Sequence, residues 1–573
     1  MTIRVRPVDR GRSTRDPNRR TFYVNLAFAI TVVVAILILV VVGATTWYGT
    51  HLAAAATVDG QTITKDQFLE RAQVEAFRIK QLAARVNAEV AAGRLTAAQA
   101  QARIDALNNQ LDDTQGAFST TIVEKLIDTT IQAKLATELG VAVTAEQIDQ
   151  RALEDKTRKE ERHVWLIALK PELDTGKTEP TDAQKAAAKK KADDALAAIK
   201  GGKTFEEEAK AVSSDPTSTT GGDLGWIDTS AAEDPDWEAA LFKLDVNGLT
   251  DVIAGADGIY RIGRVTEIVP AQVDQAWDQK LADDKISQAA YRAAIASEVT
   301  RTVLGDRIVA DASVPGPQKQ VQELFIKAPA QTPGVGAIRV RHILYSPKGD
   351  PAGAASIPES DPSWTEAQLK AQKAYDKVKA DLKQFDIIAR AESDETQDNG
   401  DDGTGGKLPY FDKDANIDAA FAAAIFKEGL KPGDLLAPFK SSFGWHVVQI
   451  MYGPPDLDQM TKLKGEAATG ADFGQLVRDN SDGPKGGKGG DIGWVQQGQL
   501  DDRLTSKILA APVGSLTDII DIPEIGLYLF KITGEKTAAP DADQLAAIKS
   551  DAFSNWYSGK KAAVKITRDL LGS

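Results

Sequence analysis

The sequence predicts a multidomain α+β protein that follows a single N-terminal transmembrane helix. The chain has 573 residues, whereas a single hydrophobic core stops growing at about 250–300 residues, so several domains are expected. An apolar run lies near the N-terminus, and a series of strand-like and helix-like segments recurs in the remainder. The recurring order of strand, helices and strand predicts small α+β units beside a more helical part.

The composition excludes several classes of function. Cysteine is absent, which rules out disulfides, thiolate metal sites and a thiol nucleophile, and four histidines make a multi-histidine zinc site improbable. The net charge of -14 argues against nucleic-acid binding, which needs basic surfaces. No phosphate-binding loop of the G-x-x-x-x-G-K-[ST] type occurs. We therefore expect no cofactor, no metal and no nucleic-acid partner.

The N-terminal segment predicts a membrane anchor. Residues 22–48 are apolar, with Asn25 the strongly polar exception, and about 20 such residues span a bilayer as a helix. Seven arginines precede them, which predicts a cytoplasmic tail at 1–21 and an extracytoplasmic body. A signal peptide cleaved near Ala53–Ala56 is the alternative, but its apolar region is typically only about 7–15 residues long. The lipid bilayer is thus an expected partner.

Residues 52–160 are predicted to form a helical domain. Thr64 with Gln67, and Thr144 with Gln147, have the spacing of capping boxes that begin helices. An apolar stripe at helical spacing lies between them, formed by Ile122, Leu126, Ile127, Ile131, Leu135 and Leu139. Residues 271–335 are predicted to be a helical linker, and 537–573 a C-terminal helix that packs on the helical part.

An internal repeat occupies the rest of the chain. Repeat 1 covers 161–270, repeat 2 covers 336–455, and repeat 3 covers 456–536. Each contains a two-glycine word, namely GGDLGWI at 221–227, GGKLPYF at 405–411 and GGDIGWV at 489–495. Repeat 3 is predicted to be partial, because it lacks an opening strand and a long first helix.

These repeated words resemble the parvulin family of peptidyl-prolyl isomerases. Repeat 2 matches the family pattern with RVRHIL at 339–344, LKPG at 430–433 and FGWHVV at 443–448. The unit from residue 57 onward is similar to the helical chaperone part of SurA/PrsA/PpiD-type folding factors. The resemblance implies tandem domains that each have a small antiparallel sheet with surrounding helices, next to a helical chaperone domain.

The resemblance also implies a site in repeat 2. Two histidines would lie on neighbouring strands under the substrate, an apolar pair would hold the proline ring, and a carboxylate would shape the field near the carbonyl. The implied catalytic residues are His342, His446 and Asp394 or Glu395, and the implied substrate-binding residues are Ile417, Phe421, Phe443 and Trp445. Because no bond breaks during isomerisation, no nucleophile is needed.

Repeats 1 and 3 depart from the family pattern, so they are predicted to be degenerate. Repeat 1 keeps His163 but has Tyr260 in its closing strand, and repeat 3 has Tyr528 there without a first histidine. The remaining site positions fall on Glu233, Trp237 and Asp215 in repeat 1, and on Leu500, Leu504 and Gly483 in repeat 3. Isomerase activity is therefore expected in repeat 2.

The predicted function is a membrane-anchored prolyl isomerase and chaperone for exported proteins. Its expected partners are unfolded or newly exported polypeptides, with the export channel as a further candidate. One alternative is a non-catalytic holdase or translocon-associated assembly factor with inactive parvulin repeats. Another is a purely structural envelope protein.

Overall fold

The computed structural model describes residues 54–570 apart from 115, 174–179 and 231–233. The predicted tail at 1–21 and membrane segment at 22–48 lie outside the described residues, as does Glu233. Within the described ranges, no helix combines the length and the apolar character needed to cross a bilayer. The chain divides into two units, one formed by residues up to Val303 and from Val564 onward, the other by Leu304–Ala563.

The first unit begins with a small sheet and a group of helices. Thr64–Gln67 and Thr144–Gln147 form the predicted capping boxes, with both hydrogen bonds present in each, so these two predictions are confirmed. The elements are β1 (Ala54–Val58), β2 (Gln61–Thr64), α1 (Lys65–Ala91), α2 (Ala97–Leu111), α3 (Ala117–Glu138) and α4 (Ala145–Lys156). A short strand from the end of the chain, β17 (Ile566–Thr567), pairs with β1.

The core of this helical part includes residues from the predicted linker. The Trp277 ring packs edge-on against Phe77 of α1, with ring centroids 5.1 Å apart. Tyr291 and Ile295 are buried in the same cluster, so the helices of residues 277–303 complete the core that α1 begins.

Repeat 1 follows as a four-stranded antiparallel sheet flanked by helices. Its elements are β3 (Thr157–Arg158), β4 (Glu161–Leu169), α5 (Asp182–Lys200), α6 (Phe205–Val212), β5 (Asp223–Asp228), α7 (Pro235–Leu241), β6 (Ile253–Ala254), β7 (Tyr260–Val269) and β8 (Gln272–Val273). The strand order is β5-β4-β7-β6, and β3 pairs separately with β8. The helices that follow are α8 (Trp277–Asp283) and α9 (Gln288–Ala312).

Repeat 2 lies in the second unit and has the same sheet topology. A strand at Gly316–Lys327, β9, precedes this repeat. The elements of repeat 2 are β10 (Ile338–Tyr345), α10 (Pro362–Ala380), α11 (Gln384–Glu392), β11 (Lys407–Phe411), α12 (Ala419–Ile425), β12 (Leu435–Lys440) and β13 (Trp445–Tyr452). The strand order is β11-β10-β13-β12, all antiparallel.

Repeat 3 is discontinuous in sequence, which corrects two predictions. Residues Gly316–Lys327 form a strand, β9, rather than part of a helical linker, and β9 is the opening strand that repeat 3 was expected to lack. The other elements are α13 (Asp456–Ala468), α14 (Phe473–Asn480), β14 (Asp491–Val495), α15 (Asp502–Ala510), β15 (Ile520–Ile522) and β16 (Gly526–Ala538). The order β14-β9-β16-β15 repeats the topology, so repeat 2 is an insertion between β9 and α13.

The same backbone contact fixes the two-glycine word in all three repeats. The carbonyl oxygen of its second glycine accepts a hydrogen bond from a backbone N–H of the first strand. The donor and acceptor residues are His342 and Gly406 at 2.8 Å, Leu166 and Gly222 at 2.7 Å, and Glu323 and Gly490 at 2.8 Å. A Cβ at Gly406 would lie 2.0 Å from the His342 carbonyl oxygen, and φ there is +83°. Only glycine fits this approach, and the contact defines which residues of the repeats are equivalent.

Ion pairs tie the inserted repeat to its host. Arg339 of β10 makes a bidentate pair with Asp482 of repeat 3, at 2.5 and 2.9 Å. Arg341 pairs with Asp479 at 2.8 Å, and the buried Lys407 Nζ donates to the Arg478 carbonyl at 2.9 Å. Repeats 2 and 3 therefore share a buried polar boundary.

The C-terminal helix, α16 (Ala542–Ala562), packs on repeat 3 and on the last turns of α9. Ile548 and Ala552 are buried against Ala312 in the last turn of α9, and Asn555 donates to the Gly498 carbonyl at 3.0 Å. The prediction assigned this helix to the N-terminal helical part; the segment that pairs there is β17.

The discontinuity of repeat 3 predicts how its fragments behave. Residues 456–538 alone lack the central strand β9, so we expect them to be unfolded by circular dichroism and to show a collapsed amide NMR spectrum. Adding a peptide of residues 314–329 should restore the sheet, and residues 304–563 serve as the folded control. A well-dispersed spectrum of 456–538 without the peptide would contradict this description.

Candidate functional site

Two histidines face each other on the central strands of repeat 2. His342 of β10 and His446 of β13 are each 3% exposed, their rings are stacked with centroids 5.4 Å apart, and their Nδ1 atoms are 3.2 Å apart. Ser441 Oγ lies 2.6 Å from His446 Nε2 and also accepts the Phe443 N–H. Burial lowers the pKa of His446 to about 3, with a further contribution from His342, so this imidazole is neutral at physiological pH.

A carboxylate lies at the other end of the pair. Glu395 Oε2 is 3.3 Å from His342 Nε2, an ion-pair distance without the alignment of a hydrogen bond, and Asp398 Oδ2 is 3.8 Å away. Interaction with the imidazole of His342 holds the pKa of Glu395 below its usual value, against the opposing effect of burial. Asp398 is fully buried and accepts from Ser393 Oγ at 2.8 Å and Thr404 Oγ1 at 2.5 Å.

One arrangement of protons is compatible with these contacts. A carboxylate at Glu395 favours a proton on His342 Nε2, which leaves His342 Nδ1 as an acceptor. His446 then donates from Nδ1 to His342 and accepts the Ser441 hydroxyl proton at Nε2. The site is thus a buried hydrogen-bonded row that runs from Ser441 through both imidazoles toward Glu395.

The structure separates the two neighbouring carboxylates that the sequence left as alternatives. Asp394 Oδ2 accepts from Ser346 N–H at 2.7 Å, and the Asp394 N–H donates to the Leu344 carbonyl at 2.8 Å. Asp482 of repeat 3 makes the same two contacts, with Lys327 N–H at 3.0 Å and the Phe325 carbonyl at 2.7 Å. Because the contact recurs, Asp394 holds the end of β10 in place, and Glu395 is the carboxylate beside the histidines.

A cluster of apolar side chains, the candidate slot for a proline ring, covers the histidine pair. The Phe421 ring, on α12, lies 5.0 Å from His446 and 6.2 Å from His342, measured between ring centroids. Phe439 stacks on His446 at 5.5 Å, and Phe411 lies 5.8 Å from Phe421. The half-buried Ile417, Leu408 and Leu436 pack against the same cluster. The slot therefore has apolar side chains on the side of Phe421 and polar imidazoles on the side of the sheet.

The start of α12 is held by Asp418. Its Oδ1 accepts the backbone N–H groups of Ala420 and Phe421, and its Oδ2 accepts from the Ser442 N–H and hydroxyl. Burial opposes ionisation, but the hydrogen bonds from Ser442 and the helix amides outweigh it and lower the pKa of Asp418. This cap ties Phe421 to the turn that carries Ser441.

The structure places the two other implied substrate residues differently. Trp445 packs with Ile343 and Val447 on the opposite face of the sheet, so its predicted place beside the slot is wrong. Neighbouring residues of a strand point to opposite faces, and His446 occupies the slot face. Phe443 lies in the turn before β13, is 48% exposed, and contacts the site through its backbone N–H.

Repeat 1 does not keep a histidine at the site. Leu166 makes the two-glycine contact that His342 makes in repeat 2, so these two residues are equivalent. Two residues further along the strand, Ala168 pairs with Arg261 as Leu344 pairs with His446. Arg261 is therefore the equivalent of His446. The predictions for His163 and Tyr260 are therefore wrong. His163 lies three residues before Leu166, with Nδ1 2.8 Å from Thr266 Oγ1 and Nε2 3.2 Å from Asp223 Oδ1.

Side chains fill the slot of repeat 1. Trp237, the equivalent of Phe421, is fully buried in a cluster with Leu166 and Leu241. Arg261 is 4% exposed and forms a 2.6 Å ion pair with Asp257. Trp237, Leu166 and Arg261 thus occupy in repeat 1 the positions that Phe421 and the two histidines hold in repeat 2.

Sequence reasoning missed Ser441, Asp398 and Phe439. The hairpin PFKSSFGWHV could have indicated Phe439, because a four-residue turn at 441–444 pairs Lys440 with Trp445 and Phe439 with His446. The burial of Asp398 arises from a loop and has no periodic signal. Among the residues that the structure describes, no group of three or more histidines and carboxylates is arranged to hold a metal ion.

Comparison with protein families identifies the repeats. A model described as a PPIC-type PPIase domain matches residues 150–267, and a second model with the same description matches 342–452 and 457–534. Together these matches cover more than half of the chain. The third matched segment begins after β9, which agrees with the discontinuity of repeat 3.

Individual relatives match shorter parts. The chain is 34% identical to the chaperone SurA of Yersinia pestis over 123 residues, which are 21% of this chain and 24% of that protein. It is 29% identical to the foldase protein PrsA of Bacillus subtilis over 110 residues, 18% of this chain and 38% of that protein. A crystal structure of PrsA from Bacillus anthracis covers 41% of this chain and 94% of its own at 18% identity and a TM-score of 0.19. The chain thus spans about a quarter of the SurA relative's length.

The proton arrangement can be tested by NMR. We expect ¹⁵N spectra to show His446 protonated at Nδ1 and His342 at Nε2, and the His446 resonances to stay constant between about pH 5 and 8 because its pKa lies near 3. In denaturant the same residue should titrate near its ordinary value of 6.5. A native His446 that titrates between about pH 6 and 7 would contradict the burial of a neutral His446 imidazole.

Proposed function

Since the chain belongs to the PPIC-type, or parvulin, family of peptidyl-prolyl isomerases, we propose that repeat 2 catalyses cis–trans isomerisation of X-Pro bonds in polypeptides. The observation that carries this proposal is the stacked histidine pair beneath the apolar slot of Phe421, in which burial keeps His446 neutral. An apolar slot suits a proline ring, and a buried polar row suits the amide beside it.

The slot and the polar row have different tasks in this proposal. Rotation about an X-Pro bond crosses a barrier of about 18–20 kcal/mol, set by amide resonance. Phe421, Phe439 and Ile417 grip the ring, which fixes one side of the bond while the other side rotates. His342, His446 and the Glu395 carboxylate provide a preorganised field that favours the twisted amide over the planar one. No covalent step is needed.

A chaperone activity for the helical part is the second component of the proposal. A groove of about 710 Å³ runs beside α1 in the first unit, and its walls combine apolar Ile79, Leu82 and Phe118 with charged Arg85 and Lys125. Mixed apolar and charged walls suit an unfolded chain, and the similarity to a chaperone and a foldase supports this assignment. The non-catalytic holdase remains the alternative if repeat 2 proves inactive.

The proposed place of action is outside the cytoplasm, with residues 22–48 as a membrane anchor. The apolar run after seven arginines supports a helix with its N-terminus inside. Newly exported polypeptides would then be the clients, the bilayer a partner, and the export channel a further one.

Two adjacent carboxylates provide a matched pair of variants for the isomerase. We expect Glu395→Gln to lower kcat/KM about tenfold or more at about pH 8, since it removes the charge beside His342, and Asp394→Asn to change it less than about twofold. Asparagine can still accept the Ser346 N–H, so both variants should fold. The measurement is proline-limited refolding of a client protein with the full chain as catalyst. Equal activity of Glu395→Gln and wild type, or no acceleration by wild type, would contradict the proposal.

The membrane anchor has a separate test in a bacterial host. We expect the full chain to remain in the membrane fraction after alkaline extraction and a variant without residues 22–48 to be released, because about 20 apolar residues hold a helix in the bilayer. Recovery of a soluble chain that starts near Ala53–Ala56 would instead indicate a cleaved signal peptide.

A further inference from the structure

Repeat 3 carries a buried carboxyl group at the position of the first histidine of repeat 2. Glu323 makes the two-glycine contact that His342 makes in repeat 2, so these two residues are equivalent. Phe325 pairs across the strands with Tyr528 as Leu344 pairs with His446. Tyr528 is therefore the equivalent of His446. Glu323 is 8% exposed. No hydrogen bond or ion pair to its carboxyl group is found in the described ranges of the chain, although a buried carboxyl without a partner costs folding free energy.

The Glu323 carboxyl lies where repeat 2 has its catalytic carboxylate. Gly483 is the equivalent of Glu395, since Ser481 and Asp482 before it repeat the contacts of Ser393 and Asp394. A Cβ at Gly483 would lie 2.6 Å from Glu323 Oε1. The glycine thus leaves room for an acid that reaches the same place from the strand instead of from the loop.

An apolar cluster also surrounds Tyr528. Leu504 lies at the position of Phe421 and packs with Ile520, Tyr528 and Leu500, of which Tyr528 and Leu500 are half-buried. The Tyr528 ring stacks on Phe325 with centroids 4.5 Å apart. An apolar wall beside a pair of groups capable of hydrogen bonding is therefore present, as in repeat 2.

We propose that repeat 3 is a second site that binds and isomerises X-Pro bonds, in which the protonated Glu323 carboxyl and the Tyr528 phenol replace the histidine pair. The proposal rests on the proposed function of repeat 2, because it extends the same reaction, isomerisation of X-Pro bonds, to a second place where a neutral acid acts instead of a carboxylate. Twisting the amide leaves a lone pair on the proline nitrogen, and a buried carboxylic acid can donate a hydrogen bond to it. A carboxylate has no proton to donate, so the site works only in its acid form.

The surroundings of Glu323 support this acid form near neutral pH. Burial raises the pKa of Glu323 to about 7, and burial also raises the pKa of Tyr528 to about 12, so the phenol stays protonated. Two charged groups that act on Tyr528 pair with each other, Asp501 with Arg503 at 2.8 Å. Asp482, from the loop after α14, binds Arg339. The acid form predominates below about pH 7 and is lost as the pH rises above it.

The test uses the full chain with repeat 2 silenced by Glu395→Gln and Phe421→Ala. Exchange between the cis and trans forms of a short X-Pro peptide is measured by NMR at about pH 6 and 8, with the uncatalysed rate measured in parallel. Between these two values the protonated fraction of a group with a pKa of about 7 changes about tenfold, so the residual catalysed rate should be about tenfold higher at pH 6.

Variants of Glu323 in the silenced chain separate the outcomes. Glu323→Gln keeps an N–H donor, so its residual rate should be the same at both pH values, and Glu323→Ala should leave only the uncatalysed rate. A silenced chain without residual catalysis at either pH, or a residual rate that Glu323→Gln leaves with the same pH dependence, would overturn the proposal. If Glu323→Ala fails to fold, the glutamine variant still decides. A failure of the function proposed for repeat 2 gives a different result from a failure of repeat 3, because the wild-type chain would then be inactive at about pH 8.

Discussion

The close approach of a two-glycine turn to the first strand is the constraint on which each repeat depends. At Gly406 the backbone touches the His342 peptide so closely that no side chain fits, and the hydrogen bond from the His342 N–H fixes β11 against β10. Once β11 is fixed, the loop before it brings Glu395 and Asp398 to the edge of the histidine pair. The same turn in repeats 1 and 3 holds the same sheet while the residues above it differ. The contact therefore specifies the fold of each repeat. The side chains on the neighbouring strands and loop specify what each repeat can do.

Burial decides the character of the site in repeat 2. Burial and the neighbouring His342 keep His446 neutral, and the stacked pair is flanked by Ser441 at one end and Glu395 at the other. Asp418 and Asp394 are close in sequence to functional positions but serve the backbone, one as a helix cap and the other at the end of a strand. A carboxylate near a site is thus assigned by what it binds, not by its place in a motif.

The sequence predicted the repeats, the capping boxes and the slot residue Phe421 because each follows from a local or periodic pattern. It failed where the fold depends on distant partners. The strand β9 was missed since its partners in repeat 3 follow an insertion of more than one hundred residues. His163 was misassigned because a histidine in the right kind of strand was matched without knowing the cross-strand register, which the Gly222 contact sets. Trp445 was placed in the slot because adjacency in sequence outweighed the alternation of faces along a strand.

The insertion of repeat 2 into repeat 3 imposes an order on synthesis. The strand β9 leaves the ribosome early, but Ile326 pairs with Leu527, about two hundred residues later. Repeat 2 has all of its strands within one continuous segment, so it can fold while β9 waits with both hydrogen-bonding edges unpaired. An unpaired strand is a template for aggregation, and the consecutive Gln318, Lys319 and Gln320 make the first half of β9 more polar than the half around Ile326. The chain must therefore pass through an incompletely folded state during its own synthesis, and the polar half of β9 limits the hazard of that interval.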